Sequence, residues 1–482
     1  MKKLKTLSLI YLILPIILFY IFYLKLYISI PLIIGLLSII YIVNKESDDK
    51  LKINKKTIGI LFLITLIICF TAGLGNMFYQ SNDWHWRNAI FRDMVNKPWP
   101  VYYESMDATL SYYIGFWILP ALFGKLFLGL GSNIAFMMGN MALLLYASIG
   151  LLLITLWIIK IFKLKDKKQI KLSLILFVLF SGLDFIGLIV LRKFGMVKLF
   201  HLEWWAREYQ FSSMITQLFW VFNQSIVAWL ITWMYLNEKK LNNYFLLILL
   251  ALPYCPLPFC GMMILFLSSG ISHLIKSIKD KKIIELIKEV FSKQNILALI
   301  TILPIYYLFY STNSATNEGG FRLDIGLLKG TGLINLIIFW ILEIGIYYFI
   351  LFKKYKKNYL FHVSFISLLF IPLFKIGNGA DFAMRASIPL LVVCVYFIID
   401  YVLKNKLNKI MIVIFLIGAI TPGFEYLRAF KEIVDTKKIN CVADDIKTFE
   451  GKNVIDYSNF VSPKPEETTF YKYVAKDYKH EK

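Results

Sequence analysis

The residues best suited to chemistry lie between two apolar runs, each long enough to cross a bilayer: Gln80-Ser81-Asn82-Asp83-Trp84-His85-Trp86-Arg87, then Phe91-Arg92-Asp93 and Lys97-Pro98-Trp99-Pro100. Solubility alone would be served by lysines and serines, whereas this stretch packs acids, arginines, a histidine and tryptophans together. A carboxylate at a membrane edge serves as a general base for a hydroxyl when its neighbours keep its pKa suitable. Asp83 and Arg87 are one helical turn apart, so a short interfacial helix would set them side by side with the tryptophans at headgroup level. Asp93 is a second acid, but at 100° per residue it falls about 80° around the helix from Asp83 and away from the same pocket unless the helix breaks. The alternative is an interfacial anchor whose charges simply face water.

Two further stretches carry similar chemistry. His201-Leu202-Glu203-Trp204-Trp205-Ala206-Arg207 pairs tryptophans with an acid and a guanidinium. Ring faces stack on the apolar side of a pyranose while polar groups hold its hydroxyls, although aromatic belts use the same residues. The following helix carries Gln217, Asn223, Gln224 and Ser225. Such amides are costly in lipid, so they face a cavity or bond to a neighbouring helix. Lys375-Ile376-Gly377-Asn378-Gly379-Ala380-Asp381-Phe382-Ala383-Met384-Arg385 is a glycine-rich turn opening a helix with an arginine in its first turn, a plausible phosphate seat. Asp381 is either part of that seat or the salt-bridge partner of Arg385 and the helix N-cap. Loop 312–330 is expected to be flexible and to cover a site.

Such residues need a membrane scaffold to hold them, and composition supplies one. Of 482 residues 58% are apolar and 17% charged, against about 25% charged in soluble domains, and mean hydropathy is +0.65. An all-α, polytopic transmembrane bundle follows. With roughly 20 residues per crossing, spans are predicted near 6–24, 26–43, 57–76, 132–160, 172–192, 215–236, 295–311, 331–352, 359–376, 385–403 and 409–427. Runs 243–254 and 257–275 are separated by Pro253, Pro256 and Pro258, which cannot continue a helix, so they form a hairpin. That makes about thirteen helices. The run 109–129 is expected to lie along or partly into the outer interface, with Tyr112, Tyr113 and Trp117 at that level. The first run reads as a retained helix, since no small-residue cleavage site follows it.

Charge gives the orientation. Lysine-only clusters at 2–5, 45–56, 163–171, 239–240, 276–293, 353–357 and 404–409 fall on one side, taken as cytoplasmic. Arg87, Arg92, Arg192, Arg207, Arg322, Arg385 and Arg428 fall outside or at the outer boundary. Guanidinium groups fork onto phosphate or carboxylate oxygens, so this segregation points to an anionic ligand, unless it is an accident of a lysine-rich chain. The N-terminus is then cytoplasmic and the C-terminus extracytoplasmic in a multi-pass protein of the cell membrane. The chain divides into 1–427, with 77–131 as an outer loop carrying juxtamembrane helices, and a short polar tail, 428–482. The net charge of +22 meets anionic membrane lipids and is no nucleic-acid footprint. The cysteines lack zinc-finger or redox spacing, and no P-loop supports ATP-driven transport.

In order of features, Asn82-Asp83 with His85, Asp93 and Trp99-Pro100-Val101, then Leu110-Ser111-Tyr112-Tyr113, the helix with Gln224, and Asp381 to Arg385, the chain resembles bacterial integral-membrane glycosyltransferases of the C-type fold (GT-C) and their relatives. The resemblance covers about 60–400. It implies a polyprenyl-phosphate-linked sugar donor, a cell-envelope glycan acceptor, an acid in the first outer loop as catalytic base, and juxtamembrane helices there. Asp83 matches the acid. Many members carry two acids side by side at that point, whereas this chain has Asn82-Asp83, so no metal ligand set or other cofactor is indicated. On this reading the donor phosphate meets Arg385 with Arg207 or Lys375, and the sugar lies against Trp204 and Trp205. Asn82, His85, Glu203, Gln224 and Asp381 complete the sugar and acceptor contacts, and transfer is inverting. A lipid-linked glycan flippase or other transporter, an envelope polysaccharide polymerase or ligase, and a noncatalytic scaffold are the other classes. A transporter should show polar residues down several helices, whereas Asp184, Glu343 and Asp400 look scattered toward different ends.

Overall fold

A computed structural model describes residues 3–46, 51, 53–198, 201–206, 208–313, 322–324, 330–376, 379–405, 409–453 and 455–479. The chain is a helical membrane protein with very little sheet. Among the described residues seven helices are long and apolar enough to cross a membrane: Leu4–Tyr23, Leu26–Glu46, Ser132–Ile161, Met214–Asn237, Pro256–Lys279, Thr331–Tyr355 and Lys409–Thr436. At 1.5 Å per residue each covers a hydrocarbon core of about 30 Å.

Other expected spans are shorter or interrupted. Run 172–192 is two helices, Lys167–Val178 and Asp184–Val190, parted at Ser181-Gly182. Run 295–311 breaks into Lys293–Thr301 and Leu303–Tyr310, with Pro304 at the start of the second. The three prolines do make a turn, between Tyr244–Leu249 and Pro256–Lys279. Its Pro253 carbonyl accepts the Gly115 amide at 3.1 Å, and a Cβ on Gly115 would overlap that oxygen.

The run 109–129 holds only an eleven-residue helix, Gly115–Lys125, about 16 Å long and too short to span. Tyr112 and Trp117 are buried in the protein rather than displayed at an interface, which corrects their assignment as headgroup-level rings. Tyr112 packs on Phe460 of the tail, and Trp117 on Phe91 of the preceding loop and Phe222.

The polar tail is not a separate appendage. The helix Ile420–Thr436 runs straight through the expected boundary at 427/428. Beyond it, Val461–Pro463 pairs antiparallel with Ala108–Leu110, which pairs with Tyr102–Tyr103, so tail and first loop share one three-stranded sheet. Thr109 faces Tyr102 on one side and Ser462 on the other. The tail then returns to the membrane boundary, where the Lys25 amide donates to Val474 and the Lys476 amide to Tyr23 at 3.0 and 2.8 Å.

One irregularity positions the site. The helix Met214–Asn237 kinks at Val221, whose φ of −138° and ψ of 35° are not helical. A kink frees carbonyls that must find other donors. The Phe219 carbonyl accepts from Ser81 Oγ at 3.1 Å and Trp84 Nε1 at 3.2 Å, and the Gln217 carbonyl from Ser225 Oγ at 3.2 Å. The loop is therefore pinned to the kink by residues on both sides of Asp83.

Candidate functional site

A cavity of about 210 Å³ lies at this junction, lined by Asp83, by Glu203, Trp204 and their neighbours, and by Asp381, Met384 and Arg385. Three stretches separated by more than a hundred residues each converge on one space. Trp220, Thr421, Phe424 and Glu425 close it from the helical side.

Asp83 precedes the helix Trp84–Asn96, and its Oδ2 accepts from Arg87 Nη2 at 3.0 Å. Its Oδ1 takes no hydrogen bond among the described residues. Arg87 is buried, with Nη1 lacking a partner among the described residues. Arg385 forms the same one-turn pair with Asp381, Nη1 to Oδ1 at 2.7 Å, so that Asp381 is its ion-pair partner and caps no backbone amide. Arg385 is 9% exposed, and its Nε has no partner among the described residues. Burial opposes the charge on Arg385, but Asp381, Tyr113 and Asp83 together hold its pKa above the ordinary value. Tyr113 accepts a hydrogen bond from Gln224 Nε2 at 3.1 Å. Gln224 thus reaches the site through Tyr113 and is not itself in the lining. Behind Arg385, Gly261 lets the helix Pro256–Lys279 press on the Ala386 carbonyl, where any Cβ would collide.

The aromatic wall is Trp204, 43% exposed, with His201 stacked on it at 4.0 Å between ring centroids. His201 Nδ1 accepts from Arg428 Nη2 at 2.9 Å. Burial, with help from the Arg428 charge, drops the His201 pKa to about 3, so the ring stays neutral. Glu203 accepts from the Ser213 amide at 2.8 Å and from Gln210 Nε2 at 2.9 Å. Burial raises its pKa to about 8, with Asp184 and Glu425 adding repulsion. Glu425 is occupied by Trp220 Nε1 at 3.1 Å and Arg428 Nη1 at 2.9 Å. Of the carboxylates here, Asp83 and Asp381 each keep one oxygen without a hydrogen bond among the described residues, beside the arginine that the other oxygen pairs with.

Several expected contacts lie elsewhere. Asp93 is buried on another face of its helix and accepts from Tyr103 Oη at 3.1 Å, Thr448 Oγ1 at 2.6 Å and the Phe449 amide at 3.0 Å. Burial raises its pKa despite these donors, and its task is to fasten the tail. His85 pairs with Asp445 of the tail, and Asn82 is exposed outside the cavity. Trp205 is fully buried and donates to Asp184 Oδ1 at 3.1 Å, so it offers no face to a ligand. Lys375 is held by Glu208 at 2.6 Å and Asp324 at 3.4 Å, away from the lining. Arg207, Gly377, Asn378 and most of loop 312–330 lie outside the described residues. Asp184 and Glu343 are not scattered: the Leu183 amide bonds the Leu342 carbonyl at 3.2 Å, and the Glu343 carboxylate lies over Gly182. Asp184 also accepts from Ser181 Oγ at 3.0 Å and Thr421 Oγ1 at 2.9 Å. Asp400 is apart, with Tyr355 and Lys404.

Glu425 and Trp220 were not picked out from sequence. The signal was available for Glu425, an acid inside an apolar run, which by itself marks a candidate site. Among the described residues no group of three His, Cys, Asp or Glu is arranged to hold a metal ion. Comparisons with protein-family models, with curated proteins and with solved structures gave no match.

Proposed function

We propose that the chain is a membrane glycosyltransferase of the C-type kind that moves a sugar from a polyprenyl-phosphate carrier to a hydroxyl of a cell-envelope acceptor. The observation carrying this reading is the convergence of Asp83, the Trp204 wall and Arg385 on one cavity. The acceptor oxygen attacks the anomeric carbon as Asp83 takes its proton. The bond from that carbon to the phosphate oxygen breaks, and the polyprenyl phosphate leaves with the electron pair, its charge met by Arg385 and, behind it, Arg87. The sugar stacks on Trp204, and neutral Glu203 donates a hydrogen bond to a hydroxyl. Attack opposite the leaving phosphate makes the transfer inverting. A polymerase or ligase would use the same steps with an oligosaccharide donor.

In this proposal the lysine-rich ends face the cytoplasm, the cavity and the tail face outward, and the interrupted runs cross as single spans in a thirteen-crossing arrangement. A second reading, transport of a lipid-linked glycan, draws on the paired buried acids Asp184 and Glu343. Cell-surface glycan composition in a deletion strain complemented with wild type or Asp83→Asn separates the two. Glycosyl transfer requires that only wild type restore the missing sugar. Restoration of the same glycan by Asp83→Asn rejects Asp83 as the base.

A further inference from the structure

A second cavity, an open groove of about 500 Å³, runs between the helices Lys55–Thr71 and Lys167–Val178. Gly75 lies against Leu144 and Cys69 near Ser148, so Lys55–Thr71 runs antiparallel to Ser132–Ile161. The chain reverses over residues 162–166 into Lys167–Val178, which therefore runs parallel to Lys55–Thr71, with both N-terminal ends at one level. Ile64 and Ile68 face Leu174 and Val178 along the groove, and Lys167 and Lys171 stand at its N-terminal end.

The groove extends from Thr57 to Ile68 on one wall, about 17 Å at 1.5 Å per residue, which is roughly half a 30 Å hydrocarbon core. It is one leaflet deep, too shallow for another spanning helix and matched to an acyl chain. The two lysines are one helical turn apart and exposed, and neither is in an ion pair among the described residues. Over 163–171 they are joined by Lys163, Lys165 and Lys168 against a single acid, Asp166. A zwitterionic lipid would fill the apolar part equally well but bring no net charge to these ammonium groups.

We infer that this groove is a binding site for an anionic phospholipid, its acyl chain between the two helices and its phosphate between Lys167 and Lys171. The site lies in the leaflet that faces the lysine-rich loops. It rests on the chain's crossing a membrane and is independent of any sugar transfer.

The test is native mass spectrometry of the full-length protein with equimolar phosphatidylglycerol and phosphatidylcholine. Wild type is expected to retain phosphatidylglycerol preferentially, by roughly tenfold or more for two lysines at a membrane surface. Lys167→Ala/Lys171→Ala removes that preference, and Leu174→Trp, which fills the groove, removes retention of both lipids. Matching melting temperatures show that the variants fold. Equal retention of the two lipids by wild type overturns the inference. So does a preference that survives the double substitution, or retention of added polyprenyl phosphate in place of phosphatidylglycerol.

Discussion

Asp83 and Asp93 stand ten residues apart around one short helix, and their surroundings divide their roles. Asp93 spends its oxygens on three donors and joins the tail to the loop, whereas Asp83 lines the cavity with one arginine as its hydrogen-bond partner among the described residues. Replacing Asp93 by Ala strands those buried donors and is expected to cost about 2–3 kcal/mol, read as a lower melting temperature and faster proteolysis of the tail. Glu203 gives a pH signature. Its carboxyl is raised from 4.5 to about 8 in the folded protein, so the unfolded chain releases this proton first as pH rises. The stability it contributes is complete below pH 4.5 and is lost as pH climbs through 8. Melting temperature should fall over that window in wild type and lose this component in Glu203→Gln; an unchanged profile in the variant rejects the assignment.

At the scale of elements, the site depends on how closely two helices approach behind Arg385. Gly261→Ala forces the Ala386 carbonyl away and moves the Asp381–Ala386 turn, at an expected cost of about 2 kcal/mol and with loss of activity. Gly270→Ala on the same helix has open space around its Cβ and should be neutral or slightly stabilising, by about 0.5–1 kcal/mol. Equal melting temperatures for the two variants would contradict this. Apolar run length and proline position were legible as helices and as the hairpin at Pro253 to Pro258. The kink at Val221 was not, because neither Pro nor Gly marks it. It exists through tertiary hydrogen bonds from Ser81 and Trp84, partners more than 130 residues away. Similarly, Trp204 and Trp205 look alike in sequence, and only Gly187, which lets Trp205 pack flat against its helix, separates cavity wall from core.

Over the whole molecule, the tail is built onto the first loop through Arg92–Asp444 at 2.6 Å and Lys97–Glu450 at 2.7 Å, while the lysine-only clusters of the sequence lie in other segments. Charge asymmetry is written in the sequence, whereas pairing of the tail with the first loop joins residues some 350 positions apart and leaves no periodic trace. The proposed topology rests on that asymmetry. In a Cys441→Ser background, a membrane-impermeant maleimide added to intact cells should label Asn82→Cys and leave Lys168→Cys unlabelled; the opposite pattern reverses the proposed orientation.

The most direct test uses full-length protein reconstituted with lipid-linked sugars extracted from its own host membranes, following conversion of polyprenyl-phosphate sugar to free polyprenyl phosphate. Wild type should carry out the conversion, Asp83→Asn should slow it by about a hundredfold or more, and Arg385→Gln by a similar factor. Conversion at the wild-type rate by Asp83→Asn would contradict the account.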